Sequence, residues 1–141
     1  AFTKTFAMPG LRLGYGVTAN ARLMENMERH IQAWNVSVPA QMAGAAALGE
    51  TSYVERTAAA VAVEREYLSR EMRRLRLAVY PSQANFLLFQ GPEDLKERCR
   101  EKKILIRDCR NYRGLSAGWF RTAVKLHEEN TVLIHTLEEI L

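Results

Sequence analysis

The chain has 141 residues, 48% apolar, 26% charged and 9% aromatic, with 20 Lys and Arg against 16 Asp and Glu for a formal charge of +4. This composition suits a globular domain that buries roughly two-thirds of its unfolded surface, and it excludes a disordered or low-complexity chain. No apolar run approaches the ~18 residues of a membrane span, the first residues lack the pattern of a secretory leader, and two cysteines without a CxxC spacing suggest a reducing, cytoplasmic setting.

Residues 1–18 read as irregular to extended, and the alternation of Leu11, Leu13, Tyr15 and Val17 predicts a strand. Asn20 is a cap for a helix whose apolar face is Leu23, Met27, Ile31 and Trp34. Residues 35–38 interrupt it. Pro39 suits the first position of the next helix, over 40–48, and Gly49 suits a left-handed cap. Ser52-Tyr53-Val54-Glu55 is a capping-box pattern that opens the longest helix, to about Leu75. Val54, Ala58, Val61, Leu68, Met72 and Leu75 form its apolar stripe, interrupted by Arg65. A helix of about 25 residues is longer than average and can join two domains. The pattern then changes to a strand over 84–90, a helix over 92–103 with acids first and lysines last, and a short strand over 104–107. A strand over 119–125 and an amphipathic helix over 128–141 close the chain. Helices mixed with a few strands predict an α+β unit after about residue 50; there is no internal repeat.

The densest basic cluster is Arg70, Arg73, Arg74 and Arg76. It reads as a solvated helix face near a C-terminus, where cations complement the helix dipole. No aromatic residues are interleaved to stack on bases, so nucleic acid is not expected as a partner. His30, His127 and His135 share no metal-ligand spacing, and no metal is expected. Cys109 stands next to Asp108 and has no obvious activator, so a redox or nucleophilic role is not expected.

Lys4 lies in Phe2-Thr3-Lys4-Thr5-Phe6-Ala7-Met8-Pro9-Gly10-Leu11-Arg12-Leu13-Gly14-Tyr15. A lysine becomes nucleophilic when its ammonium is desolvated or set beside another cation. Arg12, eight residues on, can bring that second charge or grip a phosphate. From chemistry alone, a solvated lysine is the plain alternative. Arg121 is flanked by Phe120 and Ala123 in a predicted strand and needs a buried partner or a ligand; a planar guanidinium holds a carboxylate through two parallel hydrogen bonds. A structural ion pair and a ligand contact are both open for it, as a turn cap and a cleft position are for Asn85.

The string Thr3-Lys4, a short spacer and Gly10-Leu11-Arg12-Leu13-Gly14-Tyr15 resembles the cofactor-lysine motif of the class I/II (fold type I) pyridoxal-phosphate-dependent aminotransferase family. Residues 34–41 and 81–89 are similar to further segments of that family. The family's serine three residues before the lysine would fall at position 1, which is Ala1; this departure suggests a boundary within a longer chain.

The resemblance implies the following. Lys4 would bond covalently to pyridoxal 5'-phosphate and move protons at the substrate Cα. Thr3 would lie at the cofactor and Arg12 would hold its phosphate. Arg121 would bind the substrate α-carboxylate, Arg107 would face the same cleft, and Asn85 would lie near it. The string from Ile106 to Leu115 most resembles a branch that decarboxylates a phosphorylated amino acid, with a branch that transaminates a phosphorylated substrate as the alternative. The implied fold is the end of the large cofactor-binding domain (1–50), a connecting helix (51–77) and a small domain (78–141) with a short, mainly antiparallel sheet packed by helices. The family commonly forms homodimers. Its other cofactor-binding residues precede the lysine, so this chain alone is expected to be inactive. A non-catalytic ligand-binding domain of the same fold is the rival of a different class.

Overall fold

The computed structural model describes residues 2–141; Ala1, the position of the missing family serine, lies outside them. Contacts group the chain into two compact units, Ala1–Thr57 and Ala58–Leu141.

The first unit holds α1 (Phe2–Thr5), α2 (Ala21–Glu28), α3 (Val38–Leu48) and the start of α4 (Thr51–Arg74). No strand forms over 11–17. Leu13 O accepts one backbone bond from Phe2 N (3.3 Å), but no neighbouring strand completes a ladder, and Val17 is 89% exposed. Asn20 caps α2 as expected, its side chain accepting from Leu23 N at 3.1 Å. The helix stops at Glu28, leaving Ile31 and Trp34 outside it. None of its residues is buried, so no packing extends it.

Ser37 caps α3, accepting from Ala40 N, and Pro39 occupies the second helical position, where a missing N–H is equally harmless. Gly49 is not left-handed: its φ is −77°, because only Gly49 and Glu50 separate α3 from α4 and the chain keeps turning in the right-handed sense. The capping box is likewise absent. Ser52 lies inside α4, and its Oγ accepts from Arg56 Nη1 (3.2 Å).

The second unit is a four-stranded antiparallel sheet in the order β1-β2-β4-β3, with β1 Ala78–Val79, β2 Phe86–Gln90, β3 Arg107–Asp108 and β4 Trp119–Ala123. Helices α5 (Leu95–Glu101) and α6 (His127–Ile140) join α4 on one face. Side-chain alternation sorts the strands. Leu87, Phe89 and Phe120 enter the core with Leu68, Met72, Leu95 and Leu137, and the Phe89 and Phe120 rings lie 5.8 Å apart. Strand β1, too short to show a period, was not expected.

The arginines of the basic cluster are held within the fold. Arg74 bridges Glu71 (2.8 Å) and Glu138, Arg70 pairs with Glu71 (2.9 Å), and Arg73 donates to Val79 O. Arg76 turns left-handed (φ +65°) at the end of α4. Its N–H bonds to Arg73 O, and Leu77 N–H reaches back to Met72 O, the paired closure that usually employs glycine. Lys103 ends α5 in the same way, which is why that helix falls short of the predicted 103. Among the described residues no helix is long and apolar enough to cross a membrane.

Candidate functional site

Of the residues expected at a site, Thr3, Lys4 and Arg12 lie in the first unit. Phe2, 3% exposed, anchors α1: its ring stacks on Phe6 at 5.2 Å and meets Tyr15 edge-on at 5.7 Å. With the Phe2 N to Leu13 O bond, these contacts close residues 2–15 into a compact loop. Ala7 (φ +51°) and Arg12 (φ +53°) make its corners, a left-handed conformation that costs a non-glycine residue about 1 kcal/mol. Gly44 of α3 lets Leu13 approach, since a Cβ there would lie 2.4 Å from Leu13 Cδ2.

Lys4 is exposed in the last turn of α1, half-buried Thr3 precedes it, and among the described residues the Lys4 ammonium has no hydrogen-bond or ion-pair partner. Arg12 spends one donor on Pro9 O (2.8 Å) and, among the described residues, has no carboxylate partner. None is nearby in sequence either, for the first acid in the chain is Glu25. An apolar cleft of about 400 Å³ beside α1 is lined by Phe2, Phe6, Tyr15 and Val54, but by neither cation.

In the second unit the sheet register sets the geometry. Arg121 of β4 pairs with Leu88 of β2 on one side and with Arg107 of β3 on the other, so the two arginines stand side by side on the face opposite the core. Arg121 is half-buried, and among the described residues its guanidinium makes no hydrogen bond or ion pair. Its Cζ lies 4.9 Å from the centre of the Phe86 ring. Arg107 donates to Asn111 Oδ1 (3.2 Å) and lies 5.7 Å from the Tyr112 ring. The adjacent acid, Asp108, is taken by Arg110 (2.7 Å), whose bonds hold its carboxyl below the usual range. Burial pushes the Cys109 thiol up against the opposing influence of Arg121 and Arg107, in keeping with an inert sulfur.

Asn85 is exposed just before β2, with its carbonyl accepting from Val124 N (2.9 Å). Lys4, Thr3 and Arg12 thus belong to the first unit, and Asn85, Arg107 and Arg121 to the second. The sequence carried no sign of the rings of Phe86 and Tyr112 beside the two arginines, nor of the bond that Arg107 donates to Asn111. Strand periodicity puts Phe86 opposite Phe89 on the sheet; the register that carries it to Arg121 comes only from the folded pairing.

Among the described residues, the loop carrying Lys4 and Arg12 in the first unit and the sheet face carrying Arg107 and Arg121 in the second hold cations with no carboxylate partner. The model of aminotransferases of class I and II matches residues 1–137, and the chain belongs to that family, whose members are pyridoxal-phosphate-dependent enzymes. It is 34% identical over 145 residues to the threonine-phosphate decarboxylase of Salmonella typhimurium, covering 100% of this chain and 40% of that enzyme. The crystal structure of the histidinol-phosphate aminotransferase from Clostridium acetobutylicum superposes with a TM-score of 0.94 at 32% identity, over 99% of this chain and 44% of that one. The L-threonine-O-3-phosphate decarboxylase from Porphyromonas gingivalis gives 0.77 at 26% identity, with the same coverage. The chain spans about 40% of the length of the curated relatives it matches. The expected mixture of helices with a small antiparallel sheet agrees with these folds.

Proposed function

We propose that the chain is the C-terminal part of a pyridoxal-phosphate enzyme that decarboxylates a phosphorylated amino acid, most like threonine phosphate in cobalamin biosynthesis. The observation that carries the reading is the loop of residues 2–15. It presents the Lys4 ammonium and the Arg12 guanidinium without a carboxylate to neutralise either, as an aldehyde-bearing phosphate ester requires. The chain fits that cofactor: Lys4 Nζ is available to bond to it, Arg12 has donors left for its phosphate, and Thr3 adjoins Lys4. When bound, the cofactor supplies an electron sink for the pair released at the substrate Cα.

The chain's own residues do the rest. Lys4 Nζ delivers or removes the proton at Cα. Arg121, with its full set of donors, takes the substrate carboxylate, and Arg107 takes a second anionic group near it. Asn85 lines the same cleft. For decarboxylation the bond from Cα to the carboxylate breaks, carbon dioxide leaves and a proton takes its place. The division into a large-domain end (1–50), connecting helix (51–77) and small domain (78–141) belongs to this reading, as do a cytoplasmic location and a homodimer for the whole protein.

A histidinol-phosphate aminotransferase is the second reading, favoured by the superposition at a TM-score of 0.94. The whole protein carrying this chain, loaded with pyridoxal phosphate, distinguishes the two. Release of carbon dioxide from threonine phosphate supports the first reading. Transfer of the amino group of histidinol phosphate to a 2-oxo acid, without that release, overturns it. The 141-residue chain alone is expected to do neither.

A further inference from the structure

Arg121 presents an unusual balance of charge. It faces Arg107 in direct register across β3 and β4, where like charges are destabilising, and no acid among the described residues neutralises it. What it has instead is Phe86. Because Leu88 is the residue opposite Arg121 and Phe86 is opposite Ala123, Phe86 is the diagonal neighbour of Arg121 on the same face. That separation is within the reach of a long side chain lying on an aromatic ring. Ala123 is small and leaves the space over the ring to the guanidinium.

We propose that Phe86 is a positioning residue for Arg121: its ring fixes the guanidinium plane, at 4.9 Å, while leaving the N–H donors unspent for an incoming carboxylate. A carboxylate partner within the protein would also orient the arginine, but it would occupy the donors that a ligand needs. An aromatic face attracts the cation without accepting a hydrogen bond from its fork. Arg107 also lies by a ring, Tyr112 at 5.7 Å, but it commits one donor to Asn111, so of the two it is Arg121 that keeps its full set of donors for the carboxylate. This inference rests on the reading of Arg121 as the carboxylate-binding residue and extends it to the residue that aims it.

The test is titration of the whole protein carrying this chain, free of pyridoxal phosphate so that no turnover occurs, with O-phosphothreonine, followed through the Arg121 Nε–Hε resonance in ¹⁵N NMR. Phe86→Leu keeps apolar bulk and removes the ring face; it should weaken binding about 5-fold and move that resonance toward the position of a freely rotating arginine. Phe86→Tyr should restore both. Phe86 is 37% exposed, so both variants are expected to fold, and the dispersion of the core methyl resonances checks this. Wild-type affinity in Phe86→Leu, or failure of Phe86→Tyr to restore it in a folded protein, overturns the inference while leaving the Arg121 reading intact. Wild-type affinity in Arg121→Gln, or no response of Arg121 at millimolar ligand, overturns both.

Discussion

Asn130, 1% exposed, ties α4 to the head of α6. Its amide donates to Glu64 Oε2 (2.8 Å) and Lys125 O (2.9 Å), and its Oδ1 accepts from Lys125 N (3.1 Å). A buried amide with its hydrogen bonds met is neutral to favourable; removing it strands its partners without water to replace it. Asn130→Ala should therefore destabilise the chain by about 2 kcal/mol, read as a lower urea midpoint with an unchanged slope. The sequence carried no sign of this role, since Asn130 resembles any polar residue early in a helix. The arginine pair shows the converse. The residue types of Arg107 and Arg121 and their places in strands were legible, and what was hidden was the register that sets them side by side and puts Phe86 under one of them. Cys99, fully buried, has its thiol pushed up to about 11 by burial, as befits a core residue.

At the scale of elements, Arg74 links α4 to α6 through Glu138, while Glu71 holds it within α4. Arg74, followed by Arg70, holds the Glu71 carboxyl below its ordinary value, and Arg74, followed by His135, does the same for Glu138. A carboxyl depressed in the folded state adds stability that is fully present above its unfolded value, about 4.3, and is lost as pH falls through the folded one. The chain should thus lose stability from about pH 4.3 downward, and Arg74→Gln should flatten that part of a pH series of urea midpoints. These groups are solvated, so added salt should reduce the difference. Periodicity made the long helices legible because their buried stripes recur. The ends were less so: Gly49 does end α3, but in a right-handed conformation that needs no glycine, and Ser52 falls inside α4, because the link between the two helices is only Gly49 and Glu50. The alternation over 11–17 failed because a strand is defined by its neighbour as much as by its own sequence.

For the whole molecule, the division of contacts between Thr57 and Ala58 falls inside α4, so one continuous helix serves both units. In the first unit Trp34 is 97% and Val17 89% exposed. The chain spans about 40% of the length of its relatives, and the expectation that it is inactive alone comes from the family resemblance: the carboxylate that the family pairs with the cofactor's ring nitrogen is expected in the part that precedes the lysine. The family was legible from the run Thr3-Lys4 to Tyr15 through its resemblance to the family's motif; from the chemistry alone, a solvated lysine was the plain alternative. The choice of reaction was not, since it depends on which bond at Cα is aligned for cleavage.

The central claim is that Lys4 is the cofactor lysine, and it can be put against the four other lysines of the same chain, Lys96, Lys102, Lys103 and Lys125. The chain is mixed with pyridoxal phosphate, reduced with borohydride, digested and mapped by mass spectrometry, with Arg12→Gln as a companion. The account predicts a phosphopyridoxyl group on Lys4 in excess of every other lysine, and a marked loss of that preference in Arg12→Gln. Labelling spread evenly over the five lysines, or concentrated away from Lys4, would contradict it.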